Sequence, residues 1–290
     1  MYRVIETTCK TALHRHNSKW LPYKYDINVY RGCAHGCIYC YAPYSHEYIG
    51  AGSFYDEVYA KTNIADALKR ELPRFKRETV NIGGVTDSYQ PAERKYKLMP
   101  AVLSLLAQYG IPTIICTKSA LILRDIEQLY SVSNAGGLSA AFTITTLDEN
   151  IASLIEPKAS SARARIAAVR SLRDEGISCG VHLMPVIPFL TSGGHSLEEV
   201  FCAARDAGAN YVLTGGLNLK TSTRRGFFEK MSRYFPSEYR LVNKLYSDKD
   251  AYNEYNARLN RTIKNLREKY SMLVYAMPKD RPAHVQLKFF

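Results

Sequence analysis

Between residues 78 and 216 the chain alternates short apolar runs with longer amphipathic ones. The apolar runs are ETVNIGG (78–84), IPTIICT (111–117), LSAAFTIT (138–145), ISCGVHLMPVIP (177–188) and ANYVLTGG (209–216). They read as strands, ETVNIGG ending in glycines and IPTIICT looking buried. A strand-like DINVY ends the polar and irregular first thirty residues. The intervening segments carry helical spacing. Ile64, Leu68 and Leu72 share one face of a helix over 62–72, with Thr62 or Asn63 as its cap. Further helices are predicted over 93–109, ending at Gly110, over 121–130, over 161–176, ending at Gly176, and over 197–208.

This alternation predicts about six parallel strands with right-handed crossovers. Such a set forms either an open doubly wound sheet or a partial barrel, and the pattern alone does not separate the two. After residue 220 the chain turns helical and rich in Lys, Arg, Tyr and Asn, closing on a strand-like SMLVYAM. The expected organisation is a core over 1–220 and a basic helical extension over 221–290.

The chain has 290 residues, enough for one large domain. No apolar run is long enough to cross a membrane, and the N-terminus, MYRVIETTCKTALHRH, is not a secretory signal, so a cytoplasmic protein is expected. A net charge of +12 points to a polyanion such as nucleic acid, or to a generally basic enzyme. Lys220, Arg224, Arg225, Lys230 and Arg233 cluster after the core. Arg258, Arg261, Lys264 and Arg267 recur at helical spacing with Tyr252 and Tyr255 nearby, as a phosphate-tracking face or simply a solvated one.

The seven cysteines include three within eight residues, Cys33, Cys37 and Cys40. An odd count argues against a disulfide framework, so the trio reads as thiolate ligands of a metal or cluster. Structural zinc takes four protein ligands, and a fourth would have to come from His35 in the loop or from distant His14, His16, His46 or Cys9. An iron–sulfur cubane on three cysteines leaves one iron open to a chelating ligand.

CxxxCxxC with an aromatic residue, Tyr39, before its last cysteine resembles the radical S-adenosylmethionine (SAM) superfamily. NVYRGCAHGCIYCYA, NIGGVTDSYQP, CTKSALILRD, TTLDENIASLIEPKASSARARIAAVRSL and MPVIPFL follow in the order found in the group related to spore photoproduct lyase, over about residues 10–220. The resemblance implies a partial (β/α)6 barrel with the C-terminal extension added to it. It also implies a [4Fe–4S] cluster on Cys33, Cys37 and Cys40, with SAM chelating the fourth iron. In that family electron transfer cleaves SAM to a 5′-deoxyadenosyl radical, which abstracts hydrogen from an unactivated C–H bond. A low-potential donor such as flavodoxin or ferredoxin is then an expected partner.

The same resemblance assigns SAM contacts to Tyr39, Gly83, Gly84, Thr117, Lys118, Thr145, Glu156 and Arg165. Each has a plainer reading. Glycines at a strand end make turns, a strand-end lysine is solvated, threonines fill strands, and Glu156 can stabilise the next helix by charge. Arg165, with Arg163 as its rival, offers a guanidinium fork to the SAM carboxylate. Tyr39 and Tyr41 match tyrosines that relay hydrogen atoms or pack on the adenine. The relatives' donor cysteine is replaced by Val85. Cys116, which alternation places on the same strand face as Lys118, is the substitute donor, or a small buried hydrophobe. His182 faces the same interior as a base or a structural histidine, and Cys179 and Cys202 belong to the core. The expected activity is radical SAM chemistry on a nucleic acid, as lesion repair or base modification. The alternatives are a radical SAM enzyme acting on a peptide or small metabolite, and a non-catalytic iron–sulfur or zinc protein.

Overall fold

The computed structural model describes residues 2–19, 21–47, 50, 52–219 and 222–278. In chain order the strands are β1 (Arg3–Thr7), β2 (Leu13–Arg15), β3 (Tyr25–Ile27), β4 (Tyr30–Arg31), β5 (Glu57–Lys61), β6 (Val80–Ile82), β7 (Thr113–Thr117), β8 (Leu138–Thr143), β9 (Ser178–Val186) and β10 (Val212–Gly216). The α-helices are α1 (Tyr44–Glu47), α2 (Ile64–Glu71), α3 (Glu93–Tyr96), α4 (Met99–Gln108), α5 (Ile126–Ala135), α6 (Glu149–Ile155), α7 (Ala162–Asp174), α8 (Gly194–Asp206), α9 (Ser222–Tyr234), α10 (Pro236–Ser247) and α11 (Lys249–Lys269).

The main sheet has the order β10-β9-β8-β7-β6-β3-β2, parallel except for the β2–β3 pair. Each parallel strand from β6 onward lies beside its successor. A doubly wound sheet reverses its strand order at a switch point, and this one never does. With crossovers of one hand, that unbroken order puts the helices on one face and curls the sheet into an incomplete barrel. The α/β partial-barrel expectation therefore holds, and the open doubly wound alternative falls. Strands β7 and β8 are buried almost throughout, as their continuous apolar runs require.

A second sheet, β1-β5-β4, has no counterpart in the sequence expectations. The irregular-looking N-terminus supplies its edge, with β1 pairing parallel to β5. Asn63 sits at the N-cap of α2 but makes no side-chain cap bond there. Its carboxamide instead accepts from the Cys9 N–H at 2.8 Å and donates to the Cys9 carbonyl at 3.0 Å, tying the N-terminal segment down. The helix expected over 93–109 is two helices. Lys97 between them is left-handed (φ 47°), and Pro100 opens α4. The segment at 121–130 begins as a 3₁₀ turn, Ala120–Asp125, before α5. Helix α6, unassigned in the sequence, is capped by Asp148, which accepts from the N–H groups of Asn150 and Ile151.

Residue 220 and residues 279–290 lie outside the described part, so Lys220 does too. Helices α9 and α10, with Phe235 between them, bury Phe227, Met231, Phe235 and Val242 in one cluster with Cys37, Ile38 and Tyr39 of the cysteine loop. Helix α11 buries Tyr255, Leu259, Ile263 and Leu266 in the barrel's main core. This corrects the expected basic stripe. Arg258, Arg261 and Lys264 are exposed, but Tyr255 points inward. Arg267 turns in as well, donating to the Val212 carbonyl and the Thr214 hydroxyl of β10. The terminal SMLVYAM forms no strand, only a bridge from Leu273 to Tyr211.

Candidate active site

The cysteine loop is shaped by its neighbours. Gly32 has φ +78°, and a Cβ there would lie 2.2 Å from the Glu57 carbonyl, so β5 can approach only a glycine. The Gly32 carbonyl accepts from the Thr86 hydroxyl at 2.6 Å and the Gln90 carboxamide at 3.1 Å. Ala34 N–H donates to Gln90 at 2.9 Å, and Ile38 N–H to the Ile155 carbonyl at 3.0 Å. So braced, Cys33, Cys37 and Cys40 all face a cavity of about 380 Å³.

Burial pushes all three thiols up, Cys33 to about 12, with Asp87 adding to the rise there. Thiols in such surroundings ionise only against a strong positive partner, and iron is one. Among the described residues no three His, Cys, Asp or Glu side chains converge on a single-ion site. A cubane asks for something different, one thiolate at each of three separate irons. His35, the nearest candidate for a fourth zinc ligand, is already engaged. Its Nε2 lies 3.1 Å from Asp87 and its Nδ1 3.0 Å from the Lys158 carbonyl. The donor set and its burial fit an iron–sulfur cluster.

Two strand ends meet the loop in the same cavity. After β6, Gly83 has φ +95°, and a Cβ on it would lie 2.7 Å from the Cys116 carbonyl, so the close approach of β6 and β7 demands glycine. A Cβ on Gly84 would meet the Asp26 carboxylate at 2.8 Å. Asp87, which the sequence reading did not single out, ties everything together. It accepts from Tyr89 N–H at 2.9 Å, the Thr117 hydroxyl at 2.7 Å and Lys118 N–H at 2.7 Å, beside His35. Burial alone would raise its carboxyl. His35 and these donors outweigh burial and hold it down to about 2. The only sequence signal was an acid four residues after the strand-closing glycine.

Lys118 lines the cavity with its ammonium 5.7 Å from the Tyr39 ring centroid. Burial works against its charge, yet Cys37, Glu156, Asp87 and Cys40 together raise its pKa. It is the cation on the wall. Thr117, Gly83, Gly84 and Tyr39 line the same space. Tyr41 is more than half exposed and donates to the Gly84 carbonyl. Cys116 and His182 also line the cavity, with Asn81, Tyr23 and Tyr275, three residues the sequence reading passed over in this role.

Glu156, Arg165 and Thr145 are placed differently from the expectation. Arg165 is fully buried and pairs with Glu156 at 2.5 Å. It also donates to the Thr143 carbonyl at 2.6 Å, while Tyr39 donates its hydroxyl to Glu156 and Thr145 lies 3.5 Å from the same oxygen. These residues form a polar block behind Tyr39, and none of the three belongs to the cavity wall. Burial would raise the Glu156 carboxyl, but Arg165 and Lys118 lower it. The fork expected to face SAM is therefore occupied by Glu156 and a backbone carbonyl. Its rival Arg163 is exposed.

Residues 27–197 match the family model of the radical SAM superfamily, and the chain belongs to that superfamily. It is an enzyme of that class, whose cofactors are a [4Fe–4S] cluster and SAM. An uncharacterized protein of Mycobacterium tuberculosis is 37% identical over 83% of this chain and 73% of its own length. One of Methanocaldococcus jannaschii is 30% identical over 83% and 86%. Among solved structures, a spore photoproduct lyase variant aligns at TM-score 0.67 and 15% identity, covering 92% of this chain and 79% of that one. Another, with bound AdoMet and a dinucleoside spore photoproduct, aligns at 0.61 and 14% identity over 81% and 66%. These likenesses show the fold. Among the described residues no helix is long and apolar enough to cross a membrane.

Proposed function

We propose that this chain cleaves SAM reductively in the described cavity and uses the resulting radical on a nucleic acid. The observation that carries the first half is the meeting of Cys33, Cys37, Cys40, Lys118, Gly83 and Gly84 around one space. When bound there, the cluster and SAM supply a 5′-deoxyadenosyl radical for hydrogen abstraction. The chain's own residues do the positioning. Cys33, Cys37 and Cys40 hold three irons. Lys118 offers its ammonium to the SAM carboxylate, and Asp87 fixes the backbone that carries it. Gly83 and Gly84 leave backbone open to the SAM amino group. Tyr39 flanks the adenine, its hydroxyl tethered to Glu156, and Arg165 keeps Glu156 charged. In this reading Glu156, Arg165 and Thr145 act through Tyr39 rather than on SAM.

Residues 1–220 carry this chemistry and 221–290 the basic extension. The net charge of +12 and the exposed Arg224, Arg225, Lys230 and Arg233 on α9, which packs on the cysteine loop, support a polyanionic substrate. Anaerobic reconstitution should give about four irons and four sulfides per chain. Dithionite and SAM should then yield 5′-deoxyadenosine. A colourless zinc protein would overturn the cofactor assignment. Salt-insensitive or absent binding to mixed-sequence DNA and RNA oligonucleotides would shift the substrate to a peptide or small metabolite.

A further inference from the structure

From the cavity wall a file of side chains runs across three strands. Cys116 Sγ on β7 lies 3.8 Å from His182 Nδ1 on β9. His182 Nε2 lies 3.3 Å from the Tyr211 hydroxyl. That hydroxyl is 3.4 Å from Ser139 Oγ on β8, and Ser139 Oγ is 2.9 Å from the Ala276 carbonyl. The last contact sets the direction of all the others. A carbonyl only accepts, so Ser139 donates to it. Ser139 has no second hydrogen, so it accepts from Tyr211. The Tyr211 oxygen in turn accepts from His182 Nε2–H. That leaves His182 Nδ1 unprotonated and open to the S–H of Cys116.

The environment agrees with each protonation state. Burial pushes the Cys116 thiol up to about 12 despite Lys118, and burial with Lys118 pushes His182 down to about 3. A neutral thiol therefore meets a neutral imidazole. The charged groups that act on Cys116 are Lys118, Asp87 and Asp26. Ala141, Leu213, Met184 and Tyr275 pack around Cys116 and Tyr211. Gly180 is needed for the arrangement, because a Cβ there would lie 2.3 Å from the Tyr211 ring.

We propose that Cys116 gives a hydrogen atom to carbon radicals formed in this cavity, its S–H held by the directed chain through His182, Tyr211 and Ser139 to the Ala276 carbonyl. The proposal rests on the reading that SAM is cleaved there. The S–H bond is weaker than an unactivated C–H bond, so transfer to an alkyl radical such as 5′-deoxyadenosyl runs downhill. The bond to His182 is a weak one, and rotation about Cβ–Sγ turns the hydrogen into the cavity with no heavy atom moving. The S–H bond breaks and a C–H bond forms, leaving a thiyl radical on Cys116. One electron from a low-potential one-electron donor and one proton from water restore the thiol. His182 and Tyr211 are positioning residues in this scheme.

Two measurements on the reconstituted protein test it. In the holoprotein the cluster cysteines carry no hydrogen, so the S–H stretching bands come from Cys9, Cys116, Cys179 and Cys202. The band lost in Cys116→Ser should shift to higher frequency in His182→Ala and in Tyr211→Phe. An unmoved band in His182→Ala overturns the chain. In the second measurement, protein equilibrated in D2O receives SAM and dithionite with no substrate. The wild type should place deuterium in 5′-deoxyadenosine, and Cys116→Ala and Cys116→Ser should lose it to natural abundance. Undiminished deuterium in both variants overturns the donor role. If the wild type yields no 5′-deoxyadenosine, the SAM reading fails and the donor role falls with it, while the infrared band still decides the chain.

Discussion

Arg165 offers a test in which a structural role and a ligand-binding role predict opposite results. Removing its side chain in Arg165→Met leaves Glu156 buried without its ion-pair partner, with the Tyr39 and Thr145 hydroxyls and the Lys118 charge beside it. Breaking a buried ion pair from one side costs about 3–5 kcal/mol, because the remaining charge keeps its desolvation penalty without its partner. That is a large part of the roughly 5–15 kcal/mol that holds a typical domain together. The double variant Glu156→Gln/Arg165→Met removes the charge as well. Its stability should return to within about 1–2 kcal/mol of the wild type, giving a large coupling energy in the cycle. Anaerobic denaturant titrations measure the stabilities, and calorimetry with SAM measures the affinity of the refolded double variant. Because Lys118 is the cation on the cavity wall, SAM affinity in the double variant should stay within about twofold of wild type, whereas Lys118→Ala should lose about tenfold or more. A double variant that regains stability yet loses SAM binding by a comparable factor would show that the fork does reach SAM.

Asp87→Asn keeps the shape but turns one acceptor oxygen into a donor. Whichever oxygen is lost, at least one buried N–H, of Tyr89 or of Lys118, loses its acceptor, so stability should fall by about 1–3 kcal/mol or more in a denaturant titration; an unchanged stability would remove Asp87 from the centre of the site. His182 supplies a pH test. Its folded pKa is depressed to about 3 while its unfolded value is near 6.5, so the unfolded chain binds the extra proton between those limits and wild-type stability should fall as pH drops through that window. The full span is about 4–5 kcal/mol, and His182→Gln should flatten that part of the stability–pH curve; an unchanged slope would mean that His182 is not buried neutral.

The barrel was legible because its strands are buried on both faces and its helices on one, so each element carries its own period. The three-thiol loop was legible for a chemical reason, since thiolates at that spacing have few other uses. The small sheet was not. β4 has two residues and β5 is held by partners distant in sequence, so no local pattern marks them. Sequence order put the Arg165 guanidinium near the site without telling that a carboxylate, Glu156, also claims it. Asp87 was passed over because three of its four partners, His35, Thr117 and Lys118, lie in two segments distant in sequence. His182 was noticed, but the direction of its hydrogen bonds depends on a carbonyl at Ala276, which only the folded chain brings near.

Phe227 and Met231 of α9 pack in one cluster with Ile38 and Tyr39 of the cysteine loop. The C-terminal helices therefore back the loop that carries the three thiols and are not an appendage that can be trimmed away. A chain shortened to residue 220 would leave that side of the loop open to water and dioxygen. Efforts to find a minimal enzyme should cut elsewhere. Efforts to make a hardier one should begin at this seam, by tightening the contact between α9 and the loop.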